Sequence, residues 1–343
     1  MAKTSILIVR PEGDDTSPAD QALGAELAAG SEIEVHERRF RRDVPDDIER
    51  QLALWDGKIA GVIGATQVAE SQRLAKIADR MQVLCFVANN NPAVWRSRNI
   101  FHIGFPTSQT TEAIAAELIQ KTARRRYLML HDTTEFQTRV ATTMQSRLQQ
   151  QGMDARAIAH TPGDSLHLRR DWKPDAIYVV FSSERKARTI IETIGETLAG
   201  APLVLGRSLL RDSFLQFLNG RSGEFWFVDT NFRLAPARTE SQWHFIEVMG
   251  INGVAIPTTN HAFGWDCMKF CTAALKAGEG DPQRAIDYLE RGVTLEGAGG
   301  PCSFTPDNHN GRHGAGPTIL SRWSNGRFEE IQAPRAATDT VSY

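Results

Sequence analysis

The sequence predicts an α/β protein built on parallel sheets with helices on both faces. Short apolar runs alternate with helix-period segments, an order that argues parallel strands covered by helices. The alternation runs twice, restarting after a break near residues 105–108. A chain of 343 residues also exceeds what one compact core usually carries, so two domains are expected.

The first block opens with an apolar strand at 5–9, closed by Arg10-Pro11. Residues 17–29 read as a helix, with Ser17 and Pro18 as cap and first helical residue. The alternation IEVHERR predicts a half-buried strand over 33–39, and Ile48, Leu52 and Trp55 form the stripe of a helix over 45–55. The centre of the block is 59–94: a buried strand at 61–64, a polar loop at 65–67, a helix at 68–81, a strand at 83–87 and a second polar loop at 88–91. A strand at 100–104 closes it. Loops at the carboxyl ends of parallel strands are where open sheets bind ligands.

The second block brings helices at 110–122, 135–151 and 185–198. Its strands fall at 126–131, 155–160, 175–181, 202–205 and 225–229. The remainder predicts helices at 239–249, 263–276 and 282–291, then a Gly-rich turn over 293–300. Strands follow at 301–304, 318–323 and 327–332, the last two joined by an Asn325-Gly326 hairpin turn.

Composition excludes several classes. A formal net charge of −2 provides no global field toward nucleic acid or a membrane surface. Cys85, Cys267, Cys271 and Cys302 form no C-x-x-C pair, which argues against structural zinc and for buried thiols. No apolar stretch is long enough to span a bilayer. The apolar run in MAKTSILIVRP is too short for a signal-peptide core, so either the protein is cytoplasmic or an export leader lies upstream.

Seven stretches stand in order along the chain: GVIGATQVAESQRLAKIADRMQVLCFVANNNPAV, NIFHIGFPTSQ, YLMLHDTTEFQTRVATTMQSRLQQQGMD, PDAIYVVFSSERKARTII, APLVLGRSLLRDSFL, PTTNHAFGWDCMKFCTAAL and LEGAGGPCSFTPDNHNGRHGAGPTILSRWSNGRFEEI. In order and spacing they resemble the type I periplasmic binding proteins, in the branch that binds branched-chain amino acids, amides and urea. Together the stretches span roughly residues 56–332. The resemblance implies two doubly wound parallel-sheet lobes joined by a three-segment hinge, with ligand trapped in the inter-lobe cleft by closure. Lobe one would be 1–106 plus 231–315 and lobe two 107–230 plus 316–343, with crossings near 105–108, 229–232 and 307–316. Two departures stand out. The segment between Pro11 and Ile33 is short, which reduces one pocket wall. Where amino-acid binders carry an acidic residue for the ligand's ammonium, this chain has Leu205-Gly206-Arg207-Ser208. A cation there repels an ammonium and favours a carboxylate, an amide or a neutral solute.

The candidate ligand-binding residues follow. Thr66 and Gln67 follow a buried strand and precede a helix whose starting N–H groups suit an anionic or polar head group, or they serve as a simple cap. Asn89 and Asn90 offer amide donors and acceptors, or make a turn. Phe136 corresponds to an aromatic that closes over ligand, or packs within its lobe. Ser182 and Ser183 end a strong strand and offer hydroxyls. Arg207 presents a fork suited to a carboxylate, or pairs with Asp212. Asp266 reads as a structural carboxylate bonding neighbouring loops. His309 and His313, with Asp307, read as hinge loop in preference to a metal site.

No G-x-S-x-G, H-E-x-x-H, G-x-x-x-x-G-K-[ST] or G-x-G-x-x-G occurs, so no enzyme and no cofactor are expected. The resemblance implies the solute-binding component of an ABC importer, capturing a small polar organic ligand in the periplasm and partnered by a membrane permease. The alternative is a cytoplasmic ligand sensor on the same fold, acting through a regulatory protein.

Overall fold

The structure, a computed structural model, describes residues 4–13, 16–64, 67–89, 94, 97–104, 124–161, 172–181, 183–197, 200–206, 209–230, 239–312 and 318–331. The chain forms two compact units: Met1–Thr107 with Ala237–Gly316, and Ser108–Pro236 with Pro317–Tyr343. It therefore passes from one to the other three times.

Unit 1 begins with β1 (Thr4–Pro11), α1 (Thr16–Ala28), β2 (Ile33–Phe40), α2 (Asp47–Ala53), β3 (Gly61–Gly64), α3 (Val68–Met81), β4 (Leu84–Val87) and β5 (Ile100–His102). Unit 2 follows with β6 (Arg126–His131), α4 (Glu135–Gln150), β7 (Asp154–Ala159), β8 (Ala176–Val180), α5 (Glu184–Thr197), β9 (Leu203–Gly206), α6 (Asp212–Leu218) and β10 (Phe225–Thr230). The chain returns to unit 1 for α7 (Glu240–Ile251), α8 (Thr259–Ala277), α9 (Pro282–Glu290), β11 (Leu295–Gly297) and β12 (Gly300–Cys302). It ends in unit 2 with β13 (Thr318–Ser324) and β14 (Arg327–Glu330).

The sheet of unit 1 has the order β2-β1-β3-β4-β5, every pair parallel. The strand period of two sorts its side chains onto two faces. Ile6, Ile8, Leu84 and Phe86 pack with Phe263, Phe270 and Leu275 of α8 and Ile286 of α9. Leu7, Val9, Cys85 and Val87 pack with Ile48 and Leu52 of α2 and Leu74 and Ile77 of α3. Both faces are therefore buried, which is why these strands read as unbroken apolar runs. Helices α1 and α8 touch backbone to backbone. A Cβ at Gly264 would lie 1.8 Å from the Gln21 carbonyl oxygen, and one at Gly24 would lie 2.0 Å from that of His261.

The sheet of unit 2 has the order β14-β13-β10-β9-β8-β6-β7. Strands β6 to β10 pair in parallel, and the β13–β14 hairpin adds an antiparallel edge. Tyr127 and Met129 pack with Met144 and Leu148 of α4, joined by Val204, Trp226 and Leu320.

Three departures from the sequence pattern have physical causes. Helix α8 starts at Thr259, a turn earlier than its apolar pattern, because the Thr258 hydroxyl caps it by accepting the His261 N–H at 3.3 Å. The Gly-rich stretch 293–300, which reads as a turn, carries β11 and the start of β12, a hairpin too short to show a period. Periodicity alone marks no helix at α6, which only the resemblance of APLVLGRSLLRDSFL implies, because its seven residues hold buried Phe214, Leu215 and Leu218 within a short apolar run. The four cysteines are free and fully buried.

Candidate functional site

Each unit repeats one local strand order: a first strand flanked by the second on one side and the third, fourth and fifth on the other. The crossovers diverge at the first strand's edge, and the gap beyond its carboxyl end is the topological switch point where such sheets bind ligands. In unit 1 the gap lies between β1 and β3. In unit 2 it lies between β6 and β8.

At the unit 1 edge, Gln67 stands at the N-cap of α3 in an extended conformation. Its backbone N–H donates to Glu70 Oε2 at 3.3 Å, and Glu70 Oε1 receives Arg42 Nε at 2.7 Å. The helix start that the sequence offers to an anionic head group thus already holds a carboxylate of the chain's own, neutralised by Arg42.

Asn89 joins the two loops of this edge. Its Nδ2 donates to the Gln67 carbonyl at 2.9 Å. Its own carbonyl accepts the Gly104 N–H and His102 Nδ1, both at 3.3 Å. Because that carbonyl can only accept, His102 Nδ1 carries the proton. Burial pushes the His102 imidazole down to about 4, so it is neutral at pH 7. Gly104 must be glycine, since a Cβ there would lie 2.5 Å from the Asn89 carbonyl carbon.

Behind this edge lies a buried charged clamp. Arg312 donates Nε to the Ile103 carbonyl at 2.7 Å, Nη2 to Asp266 Oδ2 at 2.7 Å, and Nη1 to the Gly299 carbonyl. Asp266 also accepts the N–H groups of Ala298 at 2.6 Å and Gly299 at 2.9 Å. Burial pushes the Asp266 carboxyl up, opposed by the Arg312 guanidinium and the two N–H donors. Asp266 is thus the loop-bonding residue the sequence suggests, and Arg312 is the partner it did not reveal. His309 is buried against Ile100 O at 2.9 Å and Glu290 Oε1 at 3.1 Å, and its ring stacks on Phe101. Both its ring nitrogens are thereby engaged, while His313, its partner in the sequence reading, lies outside the described residues.

The unit 2 edge is built from charge. Asp132, directly after β6, is buried. Its Oδ1 accepts the Thr134 N–H at 3.1 Å and the Thr134 hydroxyl at 2.6 Å, while Oδ2 accepts Lys186 Nζ at 3.3 Å. The Lys186 side chain comes from the first turn of α5, beyond β8, and so spans the switch-point gap. His131 bonds the Asp132 carbonyl through Nδ1 at 2.8 Å. Exposed Ser183 accepts the Lys186 N–H at 3.3 Å, which makes it a helix cap.

Of the residues named from sequence, Gln67 and Asn89 come together at the unit 1 edge, and Ser183 stands at the unit 2 edge. Phe136 is the second residue of α4, its side chain outside the described residues, as are Thr66, Asn90, Ser182 and Arg207 altogether. Sequence reasoning did not single out Glu70, His102, Asp132, Lys186 or Arg312. Asp132 alone left a signal: an acidic residue right after a buried strand and just before a helix start. The edges carry no activated thiol, since burial raises all four cysteines and pushes Cys302 up to about 12.

The sequence matches no protein-family profile and no curated protein. Solved structures do match. A leucine-binding protein LivK from Thermotoga maritima is 15% identical with a TM-score of 0.73, over 96% of this chain and 98% of that one. The branched-chain amino acid transporter substrate-binding protein LivJ from Streptococcus pneumoniae, solved with isoleucine, is 17% identical with a TM-score of 0.73, over 96% and 99%. A solute-binding protein of an ABC transporter from Rhodopseudomonas palustris, solved with 4-hydroxybenzoate, is 13% identical with a TM-score of 0.74, over 96% of each chain. The fold is that of the type I periplasmic binding proteins.

Proposed function

We propose that this protein is the solute-binding component of an ABC-type importer, and that it holds a small polar organic ligand by closure of its two units. The observation that carries this reading is the likeness over 96% of the chain to transporter binding proteins whose solved ligands include isoleucine and 4-hydroxybenzoate. Both of those ligands carry a carboxylate. The two switch-point edges support the reading, since each is lined by hydrogen-bonding groups held in fixed positions and suits capture better than covalent chemistry. The ligand-contacting residues proposed are Thr66, Gln67, Asn89, Asn90, Phe136, Ser182, Ser183 and Arg207, with Arg207 directed to a carboxylate. The proposed location is the periplasm and the proposed partner a membrane permease. Among the described residues no helix is long and apolar enough to cross a membrane.

Thermal-shift screening over carboxylates, amides, ureas and amino acids tests the capture role. A ligand at about a hundred times its Kd stabilises by about 2.7 kcal/mol, a rise of several degrees in Tm. The expected hit is a carboxylate or amide whose affinity falls at least about tenfold in Arg207→Ala. An unchanged affinity in that variant removes Arg207 from the site.

A further inference from the structure

We propose that Lys186 is a second anion-receiving group. On this proposal the unit 2 switch point takes the carboxylate of a small organic solute on the Lys186 ammonium, with Asp132 as the residue that positions it. The inference rests on the capture reading above and deepens it by naming the ligand's charge.

The first turn of α5 holds three charges, Glu184, Arg185 and Lys186; Arg185 is exposed, and Glu184 and Lys186 are sent in different directions. Glu184 is tied to its own helix and to α6: Oε1 pairs with Arg188, and both carboxylate oxygens accept the Ser213 hydroxyl at 3.0 Å. Lys186 instead reaches across the gap to β6 and meets Asp132. The acid is thus drawn toward α6 while the cation is set at the place where the sheet's topology directs ligands.

The Lys186–Asp132 contact is suited to holding a cation in readiness. Its 3.3 Å separation is longer than the roughly 2.7–2.9 Å of a tight ammonium–carboxylate bond. Asp132 spends its other oxygen on the N–H and hydroxyl of Thr134, so part of its charge is met at the start of α4. The Asp132 side chain is 4% exposed and that of Lys186 is 37% exposed. The carboxylate is thus sealed from solvent, while solvent reaches the Lys186 side chain. An arriving anion meets positive charge, whereas an arriving ammonium meets Lys186 first and is repelled. Lys186 is also a point charge on a flexible stem, able to turn toward a ligand oxygen while its root stays in the helix.

The test uses the full chain and matched probes that differ only at the acidic group: benzoate against benzamide, 4-hydroxybenzoate against 4-hydroxybenzamide, and L-leucine against L-leucinamide. Binding is read by calorimetry at low and at about 0.5 M salt. The expected result is that at least one carboxylate binds and its amide binds at least about tenfold more weakly. Lys186→Met is expected to lose about tenfold or more in affinity for that carboxylate, Lys186→Arg to retain most of it, and added salt to weaken the wild type more than Lys186→Met. Circular-dichroism melting verifies that each variant is folded. If Lys186→Met does not fold, the comparison of wild type with Lys186→Arg and the salt dependence carry the test. If a carboxylate binds wild type and Lys186→Met alike, or the amides bind best, the Lys186 proposal is overturned while the capture role stands. If none of the six probes binds, the Lys186 proposal falls, and only the wider solute screen above decides the capture role.

Discussion

Unit 1 and unit 2 share a strand order but place their buried ion pairs differently. In unit 1 the pair Arg312–Asp266 sits behind the edge, at 4% and 0% side-chain exposure, while the edge itself is held by Asn89, His102, backbone groups and the Arg42–Glu70 pair that braces the α3 helix start. In unit 2 the pair Lys186–Asp132 forms the edge, and the side chain of its cation is partly exposed. A charged pair sealed inside a unit fixes loops against one another, because separating it leaves an uncompensated charge in a poor solvent. A pair open on one side exchanges partners at little cost, because water and solutes compensate the cation. The first arrangement suits a wall and the second suits a contact.

Breaking the sealed pair gives the largest effect expected. Arg312→Met strands Asp266 together with the carbonyls of Ile103 and Gly299, and should destabilise unit 1 by roughly 3–5 kcal/mol. Urea denaturation followed by fluorescence measures it. A loss under about 1 kcal/mol would mean that the pair does not clamp these loops.

A pH titration sharpens the comparison through His102. Its imidazole lies at about 4 in the folded protein against an ordinary 6.5, so the unfolded chain takes up the proton first as pH falls. Stability from this group is therefore complete above about pH 6.5 and declines as pH drops toward 4, by roughly 3 kcal/mol in all. His102→Gln should flatten that part of the stability–pH curve. An unaltered slope would show that the proton uptake belongs to other groups.

The smallest effect is expected in unit 2. Asp132→Asn keeps an oxygen for Thr134 but removes the charge facing Lys186, at a cost of about 1 kcal/mol in the unliganded protein. Thermal melting measures it against Arg312→Met. Equal losses in the two variants would erase the distinction between sealed and open pairs.

Strands β3 and β6 and helix α3 were legible residue for residue, because GVIG and RYLMLH are apolar runs and VAESQRLAKIADRM keeps one helical period. The residues that brace the edges were not legible. Arg312 bonds a carbonyl 209 positions away, and His102 acts on the backbone of Asn89, so neither leaves a local pattern. Lys186 is one of several charges on an amphipathic helix, and only the register of β6 beside β8 brings it to Asp132. Asn89 was legible as an amide on a loop. That its amide spans two loops required the fold.

The split of unit 1 across the chain has a consequence during synthesis. The face of its sheet formed by Ile6, Ile8, Phe86 and Phe101 is covered by α8, α9 and Phe304, which are made only after the whole central part of unit 2. At about 5–20 residues per second, that face waits on the order of 10–40 s for its cover. During that interval the face has, among the described residues, only α1, through Ala22 and Ala25, to cover it, and the second unit in turn cannot complete its own core until β13 brings in Leu320, so neither unit is finished before the last part of the chain is made.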